Sequence, residues 1–259
     1  MRFCSLGSGS TGNAMLVEAG HGASLTRVLI DCGFTYKELD RRLARIGLAP
    51  TDVSAAFITH EHGDHIGCAL TLARRHGVPL WTSQGTRQSL APELNDEIEI
   101  QLARDGEAIA IGALELKPYT VPHDAREPLQ LTCSDGARRL GVLTDAGSST
   151  PHMLAALAGC DALVLECNHD QAMLAASRYP PSLKARVAGR FGHLANDLAA
   201  QILSQCMHPR LQHVVAAHLS LQNNRPELAA GALAQALDTS TQEVVVATAH
   251  EGFAWLSVH

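Results

Sequence analysis

The stretch AAFITHEHGDHIGC, residues 55–68, joins a short apolar run to a cluster of histidine and acidic side chains. Within it, residues 60–65 have the spacing H-x-H-x-D-H. An apolar run that ends in a tight polar loop is typical of a strand that presents functional side chains at its end. Imidazole and carboxylate groups at this spacing are ligands for divalent metal ions. We therefore predict a metal-binding loop here, in preference to an ordinary solvated loop.

The loop carries ligands for two adjacent ions. His60 and His62 are two residues apart and converge on a first ion, whereas Asp64 and His65 point toward a second. Three more residues, each after an apolar run, complete the two shells: His123 for the first ion, His218 for the second and Asp145 as a carboxylate that bridges both. A bridging carboxylate holds two cations about 3.5–4 Å apart, and a water bridging such cations loses its proton near neutral pH. We expect that water to be the nucleophile of a hydrolase, with Asp64 helping to position it.

Apolar runs alternate with helical patterns along the chain, which predicts an α/β fold. The predicted strands lie within residues 27–33, 55–62, 114–123, 139–147, 162–170, 213–220 and 243–249. The predicted helices lie within residues 36–47, 66–77, 193–206 and 226–238. Polar residues end six of the strands, namely Asp31, His60, His123, Asp145, Glu166 and His218. Because strand ends of one sheet edge lie close together, we expect a single shared cleft.

The composition fits a globular chain of 259 residues, of which 46% are apolar and 18% charged. Such a chain can bury a sizeable core, and we expect one domain over residues 1–259. No apolar stretch approaches the roughly 18 residues of a membrane span. The start, MRFCSLGSGSTGN, lacks the basic beginning and apolar core of a signal peptide, so we expect a cytoplasmic protein.

The number and spacing of the cysteines and the net charge argue against several kinds of site. The seven cysteines are odd in number and never spaced C-x-x-C, which argues against a disulfide framework and against a cysteine zinc site. The formal net charge of −6 does not favour nucleic-acid binding by the molecule as a whole. A site for a polyanion must therefore be local.

With these motifs the sequence resembles the metallo-β-lactamase superfamily, whose hallmark is an H-x-H-x-D-H loop followed by a distant His, Asp and His. Within it, the chain resembles the YycJ (WalJ) family over nearly its whole length. The matching blocks are SGSTGN (8–13), IDCG (30–33), THEHGDH (59–65), PHDAREP (122–128), LTDAG (143–147), LECNHD (165–170), RYPPSLKARV (178–187), GHLAND (192–197) and AHLSLQNNRPE (217–227). The resemblance implies a four-layer αββα sandwich with the metal ions at one edge. It also implies 5′→3′ exonuclease activity on double-stranded DNA.

The blocks LECNHD and GHLAND resemble the positions where tRNase Z-type phosphodiesterases carry a proton-donating pair. This likeness implies that His193 protonates the leaving oxygen and that Glu166 orients and stabilises His193. The alternative is that His193 is a residue at a helix N-terminus and Glu166 a cap at a strand end. The resemblance further implies that Asp31 supports the metal loop from behind without binding metal itself.

Three segments are candidates for substrate contact. The SGSTGN turn, with Ser10 and Asn13, either binds a phosphate or is a plain hairpin turn. Lys184, Arg186 and Arg190 either bring positive charge to the cleft or form a solvated helix face. Asn223 and Asn224 follow the last metal ligand on a loop within reach of a substrate.

Two other functions stay open. A small-molecule hydrolase on the same scaffold, acting on a thioester, lactone or cyclic phosphodiester, fits the acidic net charge. A non-hydrolytic binding or redox protein fits less well, because every expected metal ligand is present. The donor set suits zinc, and manganese or iron occupy similar mixed nitrogen and oxygen shells.

Overall fold

The computed structural model describes residues 1–93 and 98–259, and its strands lie in two sheets. Strands of the first sheet are β1 (Arg2–Gly7), β2 (Ala14–Ala19), β3 (Thr26–Ile30), β4 (Ala55–Phe57), β5 (Leu80–Thr82), β6 (Ile100–Leu102) and β14 (Phe253–Ser257). Strands of the second sheet are β7 (Ile109–Ile111), β8 (Leu114–Thr120), β9 (Leu129–Ser134), β10 (Arg139–Leu143), β11 (Ala162–Glu166), β12 (His213–Ala217) and β13 (Val244–Val246).

Helices connect the strands and cover the outer faces of both sheets. They are α1 (Tyr36–Arg45), α2 (Gly63–Ile66), α3 (Ala69–His76), α4 (Gln84–Leu90), α5 (Pro151–Leu157), α6 (Gln171–Ala176), α7 (Pro181–Val187), α8 (Asn196–Cys206) and α9 (Pro226–Leu237). Within the described ranges, no helix is long and apolar enough to cross a membrane.

The two sheets repeat one pairing pattern. The first has the order β14-β1-β2-β3-β4-β5-β6 and the second β13-β12-β11-β10-β9-β8-β7. Each sheet consists of three antiparallel pairs and three parallel pairs, and the two kinds meet at β3 in the first sheet and at β10 in the second. The carboxyl ends of β3 and β4, and of β10, β11 and β12, therefore lie at one edge of their sheets.

Three apolar clusters define the layers. One lies between the sheets, where Phe3 and Val28 of the first meet Leu131 and Val164 of the second. The other two lie between each sheet and its helices: Leu39 of α1 packs in one and Leu203 of α8 in the other. This arrangement of helix, sheet, sheet and helix confirms the expected αββα sandwich.

Burial along the strands follows their place in the sheets. In β8, near the edge of its sheet, buried Leu114 and Leu116 alternate with exposed Glu115 and Lys117. In β11, which has parallel neighbours on both sides, every residue is buried. Parallel strands covered on both faces read as continuous apolar runs. Glu166 is the last residue of β11, so the fold carries this carboxylate into the interior at the sheet edge.

Candidate metal centre and proton donor

The loop after β4 and a residue beyond β8 bring three imidazoles together. His60 Nε2 lies 3.0 Å from His62 Nδ1, and His123 Nε2 lies 3.3 Å from the same atom. One ligand atom from each of the three lies within 4.8 Å of the others. The structure thus gathers the residues that the sequence analysis assigned to the first ion.

A second group combines one carboxylate with two imidazoles. Asp64 Oδ2 lies 3.7 Å from His65 Nε2 and 3.5 Å from His218 Nε2. His218 follows β12, so this group joins the two sheets. These are the residues assigned to the second ion.

Asp145 faces both groups. Its Oδ2 lies 2.8 Å from His65 Nε2, and its Oδ1 lies 3.9 Å from His123 Nε2. The carboxylate is 2% exposed, and Oδ2 has no partner in hydrogen-bond geometry among the described residues. A buried carboxylate set among ring nitrogens, with one oxygen outside good hydrogen-bond geometry, is a favourable position for a cation. The donor set therefore fits divalent metal ions.

Contacts behind the cluster orient the imidazoles. His65 Nδ1 donates to Asp31 Oδ2 at 2.7 Å, and His123 Nδ1 donates to the Gly192 carbonyl at 3.0 Å. In both rings the bond at Nδ1 leaves Nε2 free to bind metal. Asp31 also accepts hydrogen bonds from the backbone and hydroxyl of Thr59. The structure thus places Asp31 behind the loop, where the sequence analysis expected it.

Three of the site residues have left-handed backbone conformations: φ is 60° at Asp31, 51° at Asp145 and 55° at His218. Each follows a strand by one or two residues. Side chains other than glycine rarely adopt this conformation, which costs about 1–2 kcal/mol. The chain turns sharply at these points, where each strand enters its loop.

The buried glutamate at the end of β11 holds a histidine at the edge of the cluster. Glu166 Oε1 accepts a hydrogen bond from His193 Nδ1 at 2.7 Å and lies 3.2 Å from His218 Nδ1. Its Oε2 accepts from the backbone N–H of Ala146 and Leu194. Glu166 is fully buried, whereas the His193 side chain is 24% exposed. Glu166 thus fixes the orientation of a histidine that faces the cleft, and it also contacts His218.

The imidazoles of the cluster fall into two groups, one with a lowered pKa and one with a raised pKa. Burial lowers the pKa of His60 and of His123, which favours neutral rings. Burial also lowers the pKa of His218, but Asp145, Asp64 and Glu166 outweigh it and raise that pKa to about 9. For His193 burial is likewise outweighed, chiefly by Glu166 and Asp145, and the pKa rises to about 11. An imidazole binds a metal ion in its neutral form, so an ion held at His218 would displace a proton.

A cleft of about 350 Å³ opens over the cluster. Of the residues expected to contact substrate, Ser10, Arg186 and Asn223 line it. Arg186 Nε is paired with Asp124 Oδ2 at 2.6 Å. Lys184 lines a neighbouring cavity instead of the cleft.

Three further residues expected to contact substrate do not line the cleft. Asn13 is buried and donates from Nδ2 to the Asp64 carbonyl at 3.2 Å, so it supports the metal loop. Asn224 is buried, and its Nδ2 donates to the Cys167 carbonyl at 2.7 Å. Arg190 lies over the ring of Phe191, and neither residue lines the cleft. For the two asparagines the reason is burial, since their amides bond within the protein.

Two residues beside the cluster or the cleft were not predicted from the sequence. Asp124 does not line the cleft, but its Oδ1 lies 3.5 Å from His123 Nε2, and its other oxygen pairs with Arg186. Its position directly after the predicted ligand His123 is the one sequence feature that could have indicated Asp124. Tyr179 lines the cleft, in the segment before α7, and no spacing pattern marks it.

The comparisons with known proteins agree on a family. Residues 26–218 match the family model described as "Beta-lactamase superfamily domain". "Exodeoxyribonuclease YycJ" of Bacillus anthracis is 33% identical over 240 residues, covering 92% of this chain and 89% of that protein. "Exodeoxyribonuclease WalJ" of Streptococcus pneumoniae is 30% identical, covering 88% of this chain and 85% of that protein. The crystal structure of the metallo-β-lactamase fold protein YhfI from Bacillus subtilis shares the fold, with a TM-score of 0.75, 14% identity and 99% coverage of both chains.

Proposed function

Since this chain is a metal-dependent hydrolase of the β-lactamase superfamily and belongs to its YycJ/WalJ family, we propose that it hydrolyses double-stranded DNA from the 5′ end. The family expected from the sequence motifs is confirmed. Direct support for a phosphodiesterase comes from the pair Glu166 and His193, which holds an acid beside the metal ligands. The two relatives named exodeoxyribonucleases support DNA as the substrate.

We propose that the site holds two divalent ions, zinc or manganese, with iron as a further candidate. His60, His62 and His123 would hold one, Asp64, His65 and His218 the other, and Asp145 would contact both. When bound, such ions lower the pKa of water and offset the negative charge that a phosphodiester develops during attack. Asp31, Thr59 and Asn13 keep the loop in place for this task.

His193 supplies the proton for the leaving group. Its Nδ1 is committed to Glu166, so the proton that it gives away is on Nε2. The negative charge of Glu166 holds the pKa of His193 high, which keeps the ring protonated at neutral pH. The acceptor is the 3′-oxygen of the nucleotide that departs. A general acid of this kind contributes about 10²–10⁴-fold to the rate.

Residues 1–259 are proposed to work as one domain, because both sheets contribute to the cluster. The loop after β4 belongs to the first sheet, whereas Asp145 and His218 follow strands of the second. In this loop, His65 contacts Asp145 and Asp64 contacts His218. Neither sheet alone therefore holds a complete set of ligands.

The test is digestion of end-labelled linear duplex DNA, with 5′-phosphate and 5′-hydroxyl ends compared, in zinc and in manganese. The Asp64→Ala protein serves as the inactive control, because Asp64 is a proposed ligand that is half-buried and does not belong to the apolar core. A bis-aryl phosphodiester is assayed in parallel. We expect stepwise loss from the 5′ end with the wild-type protein and none with Asp64→Ala.

Other outcomes point elsewhere. Hydrolysis of the small diester with intact DNA would move the function to a small-molecule phosphodiesterase. Wild-type turnover by Asp64→Ala would contradict the two-ion site.

A further inference from the structure

A second cavity adjoins the cleft at His193. This cavity, called here the chamber, has a volume of about 540 Å³ and lies among α6, α7 and the start of α8. His193 lines both the chamber and the cleft. The volume is within the range of about 300–1,000 Å³ that is usual for small-molecule sites.

Helix α7 stands between the two cavities. Arg186 and Val187 line the cleft, whereas Lys184, Ala185 and Ala188 line the chamber. None of the residues of α7 is buried, so its position depends on few contacts. They include the Arg186–Asp124 pair on the cleft side, a 2.5 Å hydrogen bond from Lys184 Nζ to the Ala175 carbonyl on the chamber side, and a 2.9 Å hydrogen bond from the His193 backbone N–H to the Val187 carbonyl. The helix separates the cavities, and His193 lies where they meet.

The chamber has the composition of a site for a flat ring with a few polar atoms. Its apolar lining includes Leu174, Ala188 and Leu198. His169 also lines it and is 1% exposed, and its Nδ1 has no hydrogen-bond partner among the described residues. A buried ring nitrogen without a partner is available to a ligand. Imidazole rings and apolar walls are common surroundings for an unstacked nucleobase.

The direction of the proposed reaction decides which nucleoside lies there. Water forms a bond to phosphorus, the bond from phosphorus to the 3′-oxygen breaks, and that oxygen takes the proton of His193 while a proton of the water passes to solvent. The products are a terminal nucleotide with a free 3′-hydroxyl and a shortened strand with a 5′-phosphate. The nucleoside that carries the departing oxygen must therefore be next to His193, away from the metal ligands.

We propose that the chamber receives the 5′-terminal nucleoside of the strand under attack, with His169 and the apolar wall against its base. This inference rests on the proposed function and adds to it. It also explains an end-specific reaction, because a cavity of this size holds one nucleoside and not a continuing duplex.

The experiment measures single-turnover release of the first residue from two duplexes. One begins with thymidine and the other with a tetrahydrofuran residue that lacks a base. We expect the wild-type protein to release the thymidine nucleotide about tenfold faster or more, the order of effect that one base contact gives. Ala185→Trp fills the chamber from an exposed helix position and should reduce this ratio to near one.

Ser182→Trp is the matched control. It adds the same side chain to the same helix at an exposed position outside both cavities, and it should keep the wild-type ratio. A wild-type ratio near one, or a wild-type ratio retained by Ala185→Trp, would overturn the chamber assignment alone. Hydrolysis of bis(4-nitrophenyl) phosphate without release from either duplex would instead overturn the DNA exonuclease function, and the chamber assignment with it.

Discussion

The first sheet supplies its side chains to the cluster from one loop, residues 60–65, whereas the second supplies each from a different connection. The contributions of the second sheet are His123 beyond β8, Asp145 beyond β10, Glu166 at the end of β11 and His218 beyond β12. In the loop, sequence spacing largely determines the geometry. At the strand ends the pairing of the strands in the sheet determines it, and the distances along the chain carry no information. The two halves should therefore respond differently to substitution.

The largest effect should follow the loss of the strand-end carboxylate that faces both groups. Asp145→Asn keeps the shape and removes the charge, so we expect at least about a 10³-fold loss of turnover, the equivalent of several kcal/mol. Metal content measured by mass spectrometry separates the two halves of the site. Asp145→Asn should lose metal from both positions, whereas Asp64→Ala in the loop should keep one. Equal metal loss in the two variants would contradict the expectation that the strand-end carboxylate contacts both ions and the loop carboxylate only one.

The next effect concerns the proposed proton donor His193, which lies beside Asp145 and His218 but is not assigned to either ion. His193→Ala should lower turnover on DNA by about 10²–10⁴-fold and leave the metal content unchanged. If the variant loses one metal equivalent, His193 is a ligand and not a proton donor.

The pH profile tests the same histidine through its partner. Glu166 raises the pKa of His193, so Glu166→Gln should lower that pKa toward its usual value. A general acid works in its protonated form, and the alkaline fall in turnover should therefore begin at a lower pH in the variant. An unchanged alkaline limb would contradict the role given to Glu166.

The smallest effect should follow the substitution of Asp31, which lies behind the metal-binding loop. Asp31→Asn weakens the hydrogen bonds that hold His65 and Thr59, and losses of this kind reduce metal affinity by about 10–100-fold. Competition with a chelator measures the change. Asp161→Asn is the matched control: Asp161 is also buried, but it precedes β11 and bonds to the Arg139 backbone away from the cluster. Similar losses in both variants would indicate general destabilisation.

Much of the fold and of the cluster could be predicted from the sequence, for a physical reason. Parallel strands buried on both faces appear as apolar runs, and the residue that ends each run lies at the sheet edge. Asp145 and His218 could be assigned in this way, although they lie far apart in the chain, whereas His123 follows β8, an antiparallel strand in which apolar and polar residues alternate. The layered α/β architecture follows from the same runs.

What could not be predicted depends on how loops and short helices pack. Asn13 stood in a glycine-rich turn that resembled a phosphate site, but its amide is turned inward to Asp64. Tyr179 lines the cleft and Asp124 pairs with Arg186 because of the placement of α7, a helix with no apolar periodicity to reveal which side faces the protein. The chamber could not be foreseen, because it is formed by α6, α7 and α8 together.

The left-handed positions at Asp31, Asp145 and His218 bear on any attempt to transplant this site into another scaffold. Glycine adopts that conformation at the lowest cost, but it has no side chain that could bind an ion or hold a neighbouring imidazole. A graft of residues 60–65 alone would carry its donors without the strand ends that face them. The recipient would need two sheets that force a carboxylate or an imidazole into this unfavourable backbone region. In this protein the free-energy cost of the left-handed backbone is offset when the chain folds. The donor atoms are therefore in position before an ion binds.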